Sequence, residues 1–349
     1  MTIKPQARAL LAVTALALAG LAATTGGAQA ATATTAATPI AVATDAPALH
    51  GSRIALGATA SLYGNAFTEA PNGAVFFSRG AVVYVVEGSH APVVALHAGG
   101  AVLALGANDA DLFVQTGLRV TEYSRAAGRQ LRHWTLTSLA APITSAGLDV
   151  VGTTVWAWTD WATDGSGFEY AQVDRMNTAS SAVHVVDKDA FPGDLSADAA
   201  GLYFETVHGV TDDLAHASPT TSAVQYRKAP VDAPLALAGG RVDLLAFGSS
   251  AADVLSYNAG TLALVSAKRV PEKDDSIVGT GLGLLVLARP CSGFPCSSAT
   301  VGRLNPATGG TSAALSVPGA YQLLNGPAVI EATDVRGSRA NLFLVRISS

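Results

Sequence analysis

One pattern recurs along the chain: short runs of β-forming residues, separated by turns that contain glycine, proline, asparagine, aspartate or serine. The clearest copy is DLFVQTGLRVTEYSRAAGRQLRHWTL, at residues 111–136. Gly117 and the polar segment 125–128 divide it into three runs, which predicts a three-stranded meander. One meander alone is only marginally stable in water, so such units must pack against one another.

The same pattern is found in seven stretches of the sequence. They cover residues 72–96, 101–136, 148–187, 198–229, 241–270, 277–317 and 323–347. Roughly 300 residues divided among seven units gives about 43 residues per unit, the length of a four-stranded propeller blade. The sequence therefore predicts an all-β chain folded as a β-propeller of seven four-stranded blades, with six to eight blades possible.

Two features favour a propeller over a β-sandwich. Runs such as AVVYVVE at 81–87 and LGLLVLA at 282–288 lack strict alternation of apolar and polar residues, as expected where both faces of a sheet are covered. The many alanines and glycines also suit strands crowded around an axis. A parallel β-helix, the main rival, would need turns about twice as often as these units supply. A strand from residues 49–70 is expected beside the last blade.

The N-terminal residues have the order of a secretory signal peptide. Lys4 and Arg8 precede an apolar stretch at 9–23, and Ala-Gln-Ala ends at residue 30, so cleavage is expected before Ala31. The apolar stretch is shorter than the roughly 20 residues of a membrane span. We therefore expect a signal peptide at 1–30, a flexible Ala/Thr/Pro leader at 31–48, and one propeller domain at 49–349. The expected location is extracellular, or periplasmic if the source has an outer membrane, without membrane insertion.

The charge balance argues against two classes of partner. Without residues 1–30 the chain has 19 basic and 26 acidic residues, a net charge of −7. Charged residues make up only 13% of the chain, about half the usual quarter. Such a chain matches neither a phosphate backbone nor an anionic lipid surface, so no nucleic acid partner is expected. The expected state is a monomer.

The only two cysteines are Cys291 and Cys296, in the sequence PCSGFPC. In an exported chain, two close cysteines are expected to form a structural disulfide that closes a hairpin loop. A redox-active dithiol is the alternative, although four residues rather than two separate the cysteines.

No common catalytic motif is present: the sequence has no G-x-S-x-G, S-x-x-K, H-E-x-x-H, C-x-x-C or P-loop. The densest polar stretch is HGVTDDLAH, which contains His208, Asp212, Asp213 and His216. Two imidazoles and two carboxylates could bind a divalent metal. The preferred interpretation is a solvated loop without a cofactor, and metal binding is the alternative.

A second candidate site lies in VWAWTDWATDGSGFEY, at residues 155–170. Trp156 and Trp158 share one face of a predicted strand and are expected to fill space between blades. Trp161 is expected in the following loop, near Asp160 and Asp164. An exposed tryptophan beside carboxylates would suit the binding of a sugar or a peptide.

Two phrases, YSRAAGRQLRHWTL and LNPATGGTSAALSV, resemble the x-D-x-x-T-G-x-x-x turn of secreted bacterial propellers of the YVTN, NHL and quinoprotein-repeat types. Ser124 and Asn305 stand where that pattern has its aspartate. The resemblance implies a repeat propeller whose loops surround a central channel.

Together these observations predict a secreted, non-enzymatic β-propeller that binds an extracellular protein, peptide or glycan through its loops. The alternative is a metal-assisted propeller enzyme, a lyase or hydrolase, with its site at the channel rim. The sequence leaves the choice open and favours the binding protein.

Overall fold

The computed structural model describes residues 47–61, 64–137, 143–161, 170–208, 211–221, 223–229, 233–247, 252–270, 274–291 and 294–349. They all belong to one compact unit, Asp45–Ser349. These ranges contain β-strands and turns and no α-helix. In them, no helix has the length and apolar character that a membrane crossing requires.

The strands follow one another as antiparallel meanders. The first meander contains β2 (Phe67–Glu69), β3 (Val75–Arg79), β4 (Val82–Val86) and β5 (Val93–His97). The second contains β6 (Ala104–Ala107), β7 (Asp111–Thr116), β8 (Arg119–Ser124) and β9 (Gln130–Thr135).

The next sheet has seven strands and is formed by two meanders that share a long strand. Its strands are β10 (Ile143–Val151), β11 (Thr154–Trp161), β12 (Tyr170–Asn177), β13 (Val183–Asp198), β14 (Gly201–His208), β15 (Thr211–Ala217) and β16 (Val224–Lys228). The N-terminal half of β13 pairs with β12, and its C-terminal half pairs with β14. Strand β13 is therefore the last strand of the third meander and the first strand of the fourth.

Three more four-stranded sheets complete the described strands. The fifth meander contains β17 (Leu235–Ala238), β18 (Arg241–Phe247), β19 (Ala252–Asn258) and β20 (Leu264–Val270). The sixth contains β21 (Asp274–Thr280), β22 (Gly283–Ala288), β23 (Thr300–Asn305) and β24 (Gly310–Ser316). The seventh contains β25 (Ala320–Leu323), β26 (Ala328–Arg336), β27 (Arg339–Ser348) and β1 (His50–Thr59). The predicted all-β architecture of four-stranded meanders is confirmed.

Apolar clusters lie between successive meanders and explain why both faces of many strands are apolar. Between the second and third meanders, Phe113 and Trp134 pack with Val155. The cluster between the seventh and first meanders contains Leu342 and Phe77. Residues of the last and first meanders thus share an apolar cluster, and many strands are covered on both faces, as the lack of alternation in the sequence predicted.

The first and last described strands are hydrogen-bonded neighbours. Strand β1 pairs antiparallel with β27 from His50 opposite Ser348 to Thr59 opposite Ala340, with one irregularity between Ala55 and Gly57. This is the pairing expected for a strand from residues 49–70. The N-terminal strand therefore covers what would otherwise be the open edge of the seventh meander.

Arg346, on β27, connects the seventh meander to the first. Its guanidinium donates to the backbone oxygens of Gly73 (2.6 Å), Val86 (3.2 Å) and Gly88 (3.0 Å). It also lies 3.8 Å from the carboxylate of Glu69. Burial raises the pKa of Glu69 to about 7, although Arg346 acts in the opposite direction.

The predicted disulfide is confirmed. Cys291 and Cys296 are bonded, with their Cα atoms 5.5 Å apart, in the connection between β22 and β23. Cys296 is buried in the apolar cluster between the sixth and seventh meanders.

Two local expectations were wrong. Part of the stretch at 208–216 forms β15 rather than a loop, because residues 211–217 pair with both β14 and β16. Trp161 ends β11, where it pairs with Ile143 and Tyr170, and does not lie in the following loop. In both cases the neighbouring strands supply hydrogen-bond partners that the local sequence does not reveal.

We predict that the contact of β1 with the first meander contributes strongly to stability. Leu56 is buried in the cluster that joins the seventh and first meanders. Leu56→Ala should lower the free energy of unfolding by about 2 to 4 kcal/mol, whereas Leu131→Ala, at an exposed site on β9, should change it by less than about 0.5 kcal/mol. Urea denaturation measures both values. Equal small losses would show that β1 contributes little to the fold.

A second prediction concerns the pH dependence of stability. Burial raises the pKa of Glu69 from its ordinary value of 4.5 to about 7. Between these two pH values, Glu69 therefore keeps its proton in the folded protein and loses it in the unfolded chain. Stability should therefore fall as the pH rises from about 4.5 to about 7, and Glu69→Gln should remove about 3 kcal/mol of that fall.

Denaturation series between pH 4.5 and 8 test this, with Glu87→Gln, at an exposed carboxylate of the same meander, as control. Burial also raises the pKa values of Asp149 and Asp174, each to about 6. The pH dependence of stability should therefore become weaker in Glu69→Gln but should not disappear. An unchanged slope in the Glu69 variant would contradict the assignment.

Candidate functional site

The hairpin of β14 and β15 separates the residues of the predicted metal site. His208 pairs with Thr211 at one end of the hairpin, and His216 pairs with Tyr203 near the other end. Five residues of extended chain between Thr211 and His216 span about 17 Å. The two histidines therefore cannot ligate one metal ion in this arrangement.

His216 is held by contacts within the fold. Its ring stacks on that of Tyr203, with centroids 4.5 Å apart, and its Nε2 lies 3.1 Å from the backbone oxygen of Ala200. These contacts indicate a structural role for His216.

Asp212 and Asp213 point to opposite faces of β15, because successive side chains of a strand alternate. Asp212 is exposed, whereas Asp213 is buried. The described residues contain no group of three or more His, Cys, Asp or Glu side chains arranged to hold a metal ion. Of the four predicted ligands, the structure brings His208 and Asp213 together.

The carboxylate of Asp213 has a defined orientation. Its Oδ2 accepts a hydrogen bond of 2.9 Å from the Thr211 hydroxyl and lies 3.8 Å from His208 Nδ1. The Asp213 side chain is 8% exposed and the His208 side chain is 60% exposed. A recessed acid therefore lies beneath an accessible imidazole.

A second carboxylate comes from a bulge in β13. The pairing of β12 with β13 shifts register on both sides of Asp187, whose carboxylate contacts the fourth meander. Asp187 Oδ1 accepts hydrogen bonds from the Thr206 hydroxyl (3.0 Å) and the Asp189 backbone N–H (2.8 Å). Thr206 is directly opposite Asp213 in the β14–β15 ladder, so the two acids are close neighbours. Burial raises the pKa of Asp187 above its ordinary value.

Tyr226, on β16, completes the group. Its ring stacks on His208 with centroids 4.0 Å apart and an angle of 8° between the planes. Tyr226 is 37% exposed. Burial, then the negative charges of Asp187 and Asp213, raise the pKa of its hydroxyl. Asp187, His208, Asp213 and Tyr226 form what we call the aromatic–acidic cluster.

The cluster continues the packing between the third and fourth meanders. Phe204 and Ala215 belong to the apolar cluster between those meanders. Thr206 and Asp213 are each two residues further along the same strands and therefore share their face. The interface changes from apolar to polar as it approaches the β14–β15 turn.

The predicted tryptophan site is only partly described. The carboxylate of Asp160 is buried and accepts a hydrogen bond of 3.2 Å from the Ser145 hydroxyl, so it is not the exposed acid that the prediction required. Asp164 lies outside the described residues, as does the side chain of Trp161. Trp156 is fully buried between the third and fourth meanders, as predicted, with Trp158 packed against the same cluster.

Asp187 and Tyr226 were not predicted from the sequence. Both are far along the chain from His208 and join it only through the bulge of β13 and the ladder of β15 with β16. The one local signal was the tyrosine of β16, whose sequence VQYRK is otherwise mostly polar.

No protein-family model matches the chain, and no curated protein matches it. Solved structures are similar in fold. One comes from "Crystal Structure of Mitotic Checkpoint Complex", with a TM-score of 0.54, 12% identity, and coverage of 92% of this chain and 98% of that chain. Another is "AfRom2 CNH domain", with a TM-score of 0.50, 9% identity, and coverage of 84% and 98%. At these identities the similarity shows the fold alone and confirms a β-propeller type of repeat fold.

The cluster geometry predicts a change in the titration of Tyr226. Asp213→Asn removes a negative charge near the phenol, so the pKa of Tyr226 should fall toward its ordinary value of 10.0. Asp212→Asn removes the same charge on the opposite face of β15 and should have a smaller effect. Ultraviolet titration of tyrosinate in both variants, with Tyr226→Phe to assign the signal, measures this. An equal effect of the two variants would contradict the placement of Asp213.

Proposed function

We propose that the chain is an exported, non-enzymatic β-propeller that binds an extracellular protein, peptide or glycan. The aromatic–acidic cluster is the proposed binding site. The observation that carries the proposal is the exposed His208–Tyr226 ring pair above two oriented carboxylates.

The fold supports a binding role because the faces of the meanders are largely used for packing against one another. The turns and strand ends are left to contact other molecules, as is common for rigid scaffolds. One of the similar structures is that of a complex, the mitotic checkpoint complex, so a propeller-type chain of this kind is part of an assembly there.

The ring pair suits recognition more than stability. Stacked aromatic rings at the surface offer a large and rigid contact area at low cost in conformational entropy. Threonine hydroxyls orient the two acids before any ligand binds, which reduces the entropy lost on binding. Hydrogen-bonding groups beside an aromatic plane are also typical of sugar-binding sites. The proposal therefore covers protein, peptide and glycan ligands.

The proposed location rests on two sequence features. The N-terminal residues have the pattern of a signal peptide, and the disulfide between Cys291 and Cys296 suits an oxidising compartment.

The second candidate is a metal-assisted enzyme, a lyase or hydrolase. The proximity of His208 and Asp213 favours it, since an imidazole and a carboxylate can both ligate a divalent ion. The remaining ligands would then have to come from the bound substrate or from water.

Binding should be tested with residues 31–349 against a displayed random peptide library and a glycan array. We expect enriched binders whose affinity falls on the order of tenfold in Tyr226→Leu, because an aromatic contact at a binding site contributes about 1 to 2 kcal/mol. Phe247→Leu, at another exposed aromatic residue on β18, is the matched control and should bind normally. Binders that Tyr226→Leu leaves unaffected would place the site elsewhere.

The same protein, residues 31–349, is used to test the enzyme hypothesis. The thermal midpoint is measured with chelator and then with each common divalent cation. A site filled to about a hundred times its dissociation constant adds roughly 2.7 kcal/mol, a shift of several degrees. A rise with one cation that His208→Ala abolishes would favour the enzyme. We expect no such rise.

A further inference from the structure

We propose that the aromatic–acidic cluster binds an arginine side chain of a protein or peptide partner. This inference rests on the proposed binding function and specifies the chemistry of the ligand. Three features of the cluster lead to it: the planar ring pair, the recessed carboxylates, and the balance of charge around them.

The two stacked rings cover each other's inner faces and leave the outer face of each ring for a ligand. His208 and Tyr226 are within 8° of parallel, and both are partly open to solvent. A guanidinium is planar and weakly hydrated, so it stacks on such a surface more readily than the compact, strongly hydrated ammonium of lysine. The geometry therefore favours arginine over lysine.

The carboxylates retain capacity to accept hydrogen bonds. The Thr211 hydroxyl donates a hydrogen bond to Oδ2 of Asp213. Oδ1 of the same carboxylate accepts no hydrogen bond from the described residues. An arginine fork can stack on a ring and donate to an adjacent carboxylate at the same time. The acids are recessed below the rings, which suits a long side chain that enters from solvent.

The surrounding charge is negative on balance. Asp189 lies beside Asp187 and adds to the negative charge there. Lys228 is opposite Asp213 on the same face of the sheet, but the described residues show no ion pair between them. Lys188 is next to Asp187 in the chain, and its charge acts on Asp174 of β12, where it partly opposes the rise in pKa that burial causes. A guanidinium ligand would add a positive charge beside these acids.

The test uses two peptide libraries that differ in one atom of the central residue. One has a fixed arginine and random flanks; the other has citrulline, which replaces one guanidinium nitrogen by oxygen and removes the charge. The best binders are resynthesised with arginine, lysine or citrulline and measured by calorimetry against residues 31–349. We expect citrulline to bind on the order of tenfold or more weakly than arginine, with lysine intermediate.

Variants locate the effect. Tyr226→Leu and Asp213→Asn should each reduce affinity for the arginine peptide on the order of tenfold, and Tyr226→Phe should retain most of it because the ring remains. Asp212→Asn, which removes the same charge from the opposite face of β15, is the matched control and should bind normally. Lys228→Gln should bind more tightly, because it removes the cation that competes with the ligand.

Tyr226 is 37% exposed, so Tyr226→Leu keeps the test informative if Asp213→Asn fails to fold. Equal affinities for the arginine and citrulline peptides would overturn the inference. So would arginine-dependent binding that survives both Tyr226→Leu and Asp213→Asn. If only uncharged peptides or glycans bind, and binding still requires Tyr226, the inference fails while the proposed binding function stands.

Discussion

The fold depends on the pairing of its first described strand with its last. Each meander has two apolar faces, and each needs a neighbour on either side to cover them. The seventh meander finds its second neighbour in the first, and β1 provides the strand that joins them. Arg346 strengthens this junction, because its guanidinium donates hydrogen bonds to three backbone oxygens of the first meander.

The aromatic–acidic cluster depends on a different connection, the continuous strand β13. Because this strand belongs to both the third and the fourth meanders, its bulge at 187–190 lies beside the β14–β15 hairpin. The bulge moves one acid across the interface to meet Thr206, and the hairpin supplies the other.

Several elements were predictable from local sequence. The runs of Val75–Arg79, Val82–Val86 and Asp111–Thr116 are strands, as their β-branched and aromatic residues indicate. The disulfide was predictable because two cysteines five positions apart can meet without help from the rest of the chain. The strand at Thr211–Ala217 was missed because its polar residues resemble a loop, and only pairing on both sides makes it a strand.

The sequence by itself determined the β-rich repeat pattern and the disulfide. These properties follow from residue type and spacing, which act over short distances along the chain. Only the tertiary structure decided which polar residues meet. It separated His208 from His216, buried Asp160, and brought Asp187 and Tyr226 to His208, because strand register and a bulge set those distances.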